Sequence, residues 1–428
     1  MAQWDVQHFG DGLLTLPFDV KVGQARNDGT NRIYVSERNG RVLEWTYAGT
    51  AWQYSSVATG VTNLAQLAVG AVRGDGTNRI YYTEYRPSGA LHEVQWNGSG
   101  WTTGIVDHTY NAFCLFVGAG RNDGVQHLYA GTHGDASHVG QGLWEYTYAT
   151  GAWIKFCLHT NGMDGNGAVA ALRNDGTNRV LANSSVLDEM TWNGSTYTTS
   201  AIDHTAGLTP DPTAVGKLRN DGRTCVLINS PSKTGKFEYV YAGASWLKTT
   251  VDATSQRGDV FVARLKADGL YRAYVTYAGN VLPKGPLREF TWDSATSSYT
   301  TNVVVDAITG ATAKMAAGDG RNDGVARLYT PDYAGGRMLE ITSTNAFHYA
   351  VPRADLAIGG LAVTNATVWL AITNLTATCD YSVERALDLR QGWSASEVFT
   401  AVAPVTNWPD TNGLDRAFYR ILGRPTTP

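Results

Sequence analysis

The sequence predicts an all-β chain, a seven-bladed β-propeller over residues 1–351 followed by a small β-sandwich over 352–428. Three observations carry this expectation. An Asp-Gly turn recurs at Asp28, Asp75, Asp123, Asp175, Asp221, Asp268 and Asp323, at spacings of 47, 48, 52, 46, 47 and 55 residues. That period is the length of one four-stranded blade. A glutamate keeps step with the turn, at Glu44, Glu93, Glu145, Glu189, Glu238, Glu289 and Glu340. The composition agrees: 47 glycines and 11% aromatics against 17% charged residues suit short strands and tight turns. No long stretch has the 3.6-residue periodicity of a helix.

Blade 1 shows the unit in full. An apolar strand, VKVGQA, enters the turn RNDGTN. A second strand, RIYVSE, meets the hairpin turn Asn39-Gly40, and RVLEWTYAG and AWQYSSVAT supply the third and fourth strands. Fourth strands pair an aromatic with an aliphatic five residues on: Trp52/Val57, Trp101/Val106, Trp153/Leu158, Tyr197/Ile202 and Trp246/Val251. Trp4 and Phe9 repeat the spacing, so residues 2–10 are expected to be the outer strand of blade 7, locking last blade to first. The rival for that place is NAFHYAV, residues 345–351.

Seven glutamates spread around a ring cannot serve one substrate, so their expected role is pairing within or between blades. The RNDG turn itself resembles the FG-GAP repeat of integrin-like propellers, whose turn between first and second strands reads roughly D-x-[DN]-x-D-G-x-x-D and binds calcium. In blade 1 the matching positions are Gln24, Arg26, Asp28 and Arg32. One carboxylate is too few for a cation that takes six to eight oxygens. Arg32, Arg79, Arg179, Arg272 and Arg327 follow the Asp by four residues, and a charge-assisted Arg–Asp bond is expected in place of the ion. The turns are therefore scaffold.

The net charge of −4 argues against a nucleic-acid partner. No apolar run approaches the ~20 residues that span a bilayer. The four cysteines, Cys114, Cys157, Cys225 and Cys379, form no CxxC pair and are expected as buried thiols. MAQWDVQHFG has no signal-peptide pattern and reads as a mature start with an added Met. No cofactor is expected, and the chain is expected to be a monomer. The phrases YSVERALDLRQGW and RAFYRIL resemble the C-terminal β-domain of secreted proteins from Verrucomicrobia-like and Planctomycetes-like bacteria. That resemblance implies a secreted or cell-surface protein and a tail for stabilisation or attachment.

In a propeller the second-to-third and fourth-to-first connections share the face opposite the RNDG turns. Here those second-to-third loops all differ: SERNGR, TEYRPSGA, GTHGDASHVGQG, NSSVLD, NSPSKTG, TYAGNVLPKGP and TPDYAGG. Loops that differ in length and charge imply one asymmetric site. The blade 3 loop holds His133, Asp135 and His138, which offer acid/base groups or an H-x-D-x-x-H zinc spacing. With no cysteine or second paired ligand, no metal is expected; a solvated loop is the plainer alternative. From blade 2 come Tyr82, Tyr85 and Arg86, the first also fitting a packed strand residue. Glu37, Arg38, Lys284, Asp332 and Tyr333 complete the rim. His108 and His204 follow Asp in VDHT and IDHT, an Asp that also suits a turn cap. MDGNG, residues 163–167, suits a turn.

The mixture of His, Tyr and Arg is similar in class to propeller polysaccharide lyases that cleave beside uronic acids. That similarity implies His133 or His138 as base, Tyr85 as acid to the leaving oxygen, and Arg86 or Lys284 neutralising the carboxylate. Glu37, Arg38, Tyr82, Asp135, Lys284, Asp332, Tyr333, His108 and His204 would contact the polysaccharide or oligosaccharide. A carbohydrate-binding propeller without catalysis and a structural or protein-interaction propeller are the alternatives. No carboxylate pair at glycosidase separation is evident.

Overall fold

The computed structural model describes residues 4–61, 63–85, 89–109, 111–134, 140–160, 167–206, 208, 213–230, 235–254, 256, 258–277, 284–309, 314–348 and six strands between 357 and 423. No helix occurs among them, and none therefore is long and apolar enough to cross a membrane. Seven antiparallel four-stranded sheets follow one another as consecutive meanders. Blade 1 consists of Pro17–Gly23, Arg32–Glu37, Arg41–Tyr47 and Trp52–Ala58, in that order. Blade 7 has Ala316–Gly318, Arg327–Asp332 and Arg337–Ser343, and takes its outer strand, Trp4–Phe9, from the N-terminus. The register runs from Trp4 opposite Ser343 to Phe9 opposite Met338. The described part of the rival segment, residues 345–348, belongs to no named strand and forms the isolated bridges Lys266 to Ala346 and Val325 to His348.

Apolar side chains of one blade bury themselves against the next. Tyr34, Val42 and Val57 of blade 1 join Leu67, Ile80 and Val94 of blade 2. Equivalent clusters link every further pair of neighbours, ending with Phe9, Leu43, Trp45, Tyr329 and Met338 between blades 7 and 1. The innermost strands converge so closely that their last residue is glycine at Gly23, Gly70, Gly118, Gly216 and Gly318. A Cβ on Gly118 would lie 2.4 Å from the Cβ of Val169 in the following blade.

The Arg, Asn and Asp of the RNDG turn each have a task. Arg26 donates to Glu44 through Nε at 3.0 Å, while its guanidinium lies 3.9 Å from the ring of Trp96 in blade 2. Arg73, Arg121, Arg173 and Arg219 repeat this, each binding its own blade's glutamate and stacking on Tyr148, Trp192, Tyr241 and Trp292 respectively. Lys266 substitutes in blade 6, with Glu289 at 2.6 Å and Trp4 beneath it. The recurrent glutamates are thus buried ion-pair partners, as expected. Asn27 adopts a left-handed backbone (φ 58°), and its carboxamide takes the Asn78 N–H at 2.7 Å and donates to the Asn78 carbonyl at 3.0 Å. Asp28 accepts from Arg32 at 2.8 and 2.7 Å. The same pair forms at Asp75–Arg79, Asp175–Arg179, Asp268–Arg272 and Asp323–Arg327, with His127 replacing the arginine beside Asp123. The guanidinium thus holds the turn aspartate, and no cluster of three or more metal-ligating side chains occurs among the described residues.

No disulfide joins the described cysteines; Cys114 and Cys225 are buried thiols and Cys157 is half-buried. Asp107 and Asp203, expected as turn caps, also bridge blades: Asp203 accepts from Thr205 N at 2.8 Å and from Tyr239 Oη at 2.7 Å in blade 5. In the tail, Ala357–Thr364, Thr367–Thr373 and Val405–Asp410 form one three-stranded sheet. Ser394–Thr400, Asp380–Ala386 and Phe418–Gly423 form a second.

Candidate binding face

Opposite the RNDG turns, the second strands of blades 1, 2 and 3 end in a repeated local geometry. Arg38 N donates to Leu16 O at 3.1 Å, Tyr85 N to Asn63 O at 2.8 Å, and His133 N to Asn111 O at 3.3 Å. Leu16, Asn63 and Asn111 all have left-handed backbones, at φ 53°, 51° and 49°. Asparagine tolerates that region; a leucine there costs on the order of 1 kcal/mol, and such strain concentrates at functional positions. The turn brings Arg38, Tyr85 and His133 to equivalent places on three adjacent blades.

Two phenylalanines at the start of innermost strands fill the space between them. Phe18 is buried beneath Arg38, whose guanidinium carbon lies 4.2 Å from the ring centroid. Phe113 is half-buried and lies 6.3 Å from Phe18 across blade 2. Tyr85 and His133 meet Phe113 edge-on at 5.4 and 6.2 Å, and each other at 6.3 Å. The result is a surface of aromatic rings, half-exposed at Tyr85, Phe113 and His133 and edged by a half-exposed guanidinium. The Tyr85 hydroxyl has no hydrogen-bond partner among the described residues.

Near the innermost strands the charges are paired. Lys21 Nζ bonds Asp19 at 2.6 Å, and Asp19 also takes the Leu67 N–H of blade 2 at 2.7 Å. Asp259 takes the Met315 N–H at 2.7 Å, with Lys314 Nζ 3.8 Å away. Burial pushes the Asp259 carboxyl up to about 6.

Phe18 and Phe113 were not singled out by sequence reasoning, although a signal existed: both lead an innermost strand, at the position where blade 2 has Ala65. Conversely, three residues expected on the rim lie beneath it. Glu37 is buried and holds Arg41 and the Thr15 N–H, because the blade 1 hairpin needs an internal acceptor. Tyr82 is buried with its ring stacked on His92 at 4.5 Å, the packed strand position. Asp332 is buried, accepting from Thr309 N at 2.8 Å and Arg337 Nε at 3.0 Å. Lys284 is exposed at the start of its strand, opposite Thr309, and Tyr333 is half-buried in the blade 7 turn. His108 is exposed on the outer strand of blade 2. His204 is exposed and bonds Asp188 Oδ1 at 2.6 Å, with His159 Nε2 3.7 Å from Oδ2. Arg86, Asp135, His138 and most of the 163–167 segment lie outside the described residues.

No protein-family model matches the chain, and no curated protein matches it. Solved structures similar to it include the SapL1 lectin in complex with alpha methyl fucoside, at 17% identity and a TM-score of 0.42 over 68% of this chain and 97% of that one. AofleA from Arthrobotrys oligospora is similar at 13% identity and a TM-score of 0.42, over 73% of this chain and 94% of its own. A triple arginine-to-alanine mutant of AofleA gives 16% identity and a TM-score of 0.43 over the same shares. These identities are too low to transfer any residue's role.

Proposed function

We propose that the chain is a carbohydrate-binding propeller with one asymmetric site on blades 1–3. The carrying observation is the packing of Tyr85, Phe113 and His133 into a half-exposed aromatic surface. A pyranose has an apolar C–H face and a ring of hydroxyls. Aromatic rings bury the first, and a few fixed polar groups, here the Tyr85 hydroxyl and the Arg38 guanidinium, orient the second. The absence of repeated loop residues from blade to blade supports a single site over a multivalent one. The tail's resemblance to domains of secreted proteins supports a secreted or cell-surface setting.

The test is calorimetric titration against a panel of neutral and acidic oligosaccharides, methyl fucoside included. Wild type should saturate at one ligand per chain. Phe113→Ala should weaken binding at least tenfold while keeping the circular dichroism of the folded ring. Failure of every glycan to bind folded wild type would overturn the reading.

Elimination beside a uronate is the second reading, favoured by the juxtaposition of an imidazole and a phenol, His133 and Tyr85, at 6.3 Å. It is separated from pure binding by a new C=C chromophore when uronate polymers are incubated with the protein.

A further inference from the structure

Most arginines of the propeller are neutralised. Arg26, Arg32, Arg41, Arg73 and Arg79 each meet a carboxylate, and so do their counterparts in later blades. Arg38 differs. No carboxylate or other acceptor meets its guanidinium among the described residues, and its Nε is buried with no hydrogen-bond partner. Its guanidinium carbon lies 4.2 Å from the Phe18 ring centroid, a cation–π contact that favours this position before any ligand arrives. The other cations nearby are already occupied: Lys21 pairs with Asp19 and Lys314 lies beside Asp259. Arg38 is therefore the cation of this sector without an internal counter-charge among the described residues, and it stands beside the aromatic surface.

We infer that the site selects glycans bearing an anionic group, a carboxylate or a sulfate, which Arg38 takes while the sugar face lies on Phe113 and Tyr85. This rests on the carbohydrate reading above and adds the chemical class of ligand. Carboxylate and sulfate both present paired oxygens to a guanidinium fork. A guanidinium without a counter-charge gains from such a group what it cannot gain from a neutral hydroxyl.

The experiment compares three oligosaccharide series of matched length: neutral, uronate-bearing and sulfated. Each is titrated into wild type, Arg38→Gln and Arg38→Lys at low and at physiological salt. One or both acidic series should bind wild type about 10- to 100-fold tighter than the neutral series, with the margin shrinking as salt rises. Arg38→Gln should erase that margin, bringing the acidic series down to the affinity of the neutral one. Arg38→Lys should keep part of it, since the charge survives and the planar fork does not. Whichever acidic series keeps the margin identifies the anion. Equal binding of all three series by wild type, or an unchanged margin in Arg38→Gln, overturns the inference and leaves carbohydrate binding standing. Absence of binding in every series overturns both.

Discussion

The guanidinium carbon of Arg321 lies 4.4 Å from the ring centroid of Tyr47, joining the last blade to the first across 274 residues of sequence. The same arginine donates to Glu340, a carboxylate that is 1% exposed, through Nε at 2.7 Å, and reaches Gln7 of the N-terminal strand at 2.7 Å. One side chain thereby ties together the two strands of the closure and the neighbouring blade.

Arg321→Ala should accordingly destabilise the ring. It leaves the buried Glu340 with Arg327 Nε at 3.2 Å and Trp52 Nε1 at 3.2 Å, so the carboxylate is not stripped bare. A loss of about 2–3 kcal/mol is expected in urea denaturation, below the ~3–5 kcal/mol of a wholly orphaned buried charge. Removal of residues 1–9 should cost more, because blade 7 then has an unpaired edge along its third strand. Stability unchanged in both variants would contradict the closure.

The RNDG aspartates set an acid limit. The Arg32 guanidinium holds the Asp28 carboxyl down at about 2, and Arg79 does the same for Asp75; Asp175 is also held low, by Arg179. An unfolded aspartate titrates near ~4. The folded value is the lower one, so this stabilisation is complete above pH ~4 and is lost as pH falls through ~2. The melting temperature should drop in that window, with Asp28→Asn flattening part of the slope. Chelator should leave the melting temperature at neutral pH unchanged; a fall restored by calcium would refute the guanidinium-for-cation reading.

Gly118→Ala should destabilise without touching the binding face. The added methyl would sit 2.4 Å from Val169 Cβ and 2.6 Å from its Cγ2, so the inner strands of blades 3 and 4 must part. Overpacking of this kind costs ~1–3 kcal/mol. Gly118→Ala with Val169→Ala should recover much of it. A single variant as stable as wild type would show that the strands are looser than drawn.

His133→Ala separates binding from catalysis. For a binding surface, affinity should fall a few-fold and no product should form with any variant. For elimination, uronate turnover should be present in wild type and fall ~10²–10⁴-fold with binding largely kept. Following absorbance of the unsaturated product alongside calorimetry decides between these outcomes.

The blade count, the closing strand and the structural role of the seven glutamates were legible in the sequence because each is written seven times or at a fixed spacing. A repeated Asp-Gly with Arg four residues later must be local: the pair spans one turn, and Asp28 meets Arg32 without help from another blade. Likewise the pattern of Trp4 and Phe9 matches fourth strands, whose spacing is set by strand pleat alone. What Arg26 touches outside its own blade was not legible, since its distance to Trp96 depends on how two sheets rotate against each other.

The proposed binding face was only partly readable for the same reason. Loop variation pointed to that face, and Arg38, Tyr85 and His133 were among the candidates because they stand in those loops. Side-chain chemistry alone could not separate them from Glu37, Tyr82 and Asp332, which carry equally suggestive groups but point into the protein, where hairpin and interblade packing consume them. Strand residues alternate in direction, so one position along the chain exchanges the surface for the interior. Phe18 and Phe113 went unnoticed because a phenylalanine at a strand start reads as core. The tertiary structure sets their place by bringing strand starts 95 residues apart to within 6.3 Å around the axis of the ring. Repetition is a property of the sequence; convergence on an axis is a property of the closed ring.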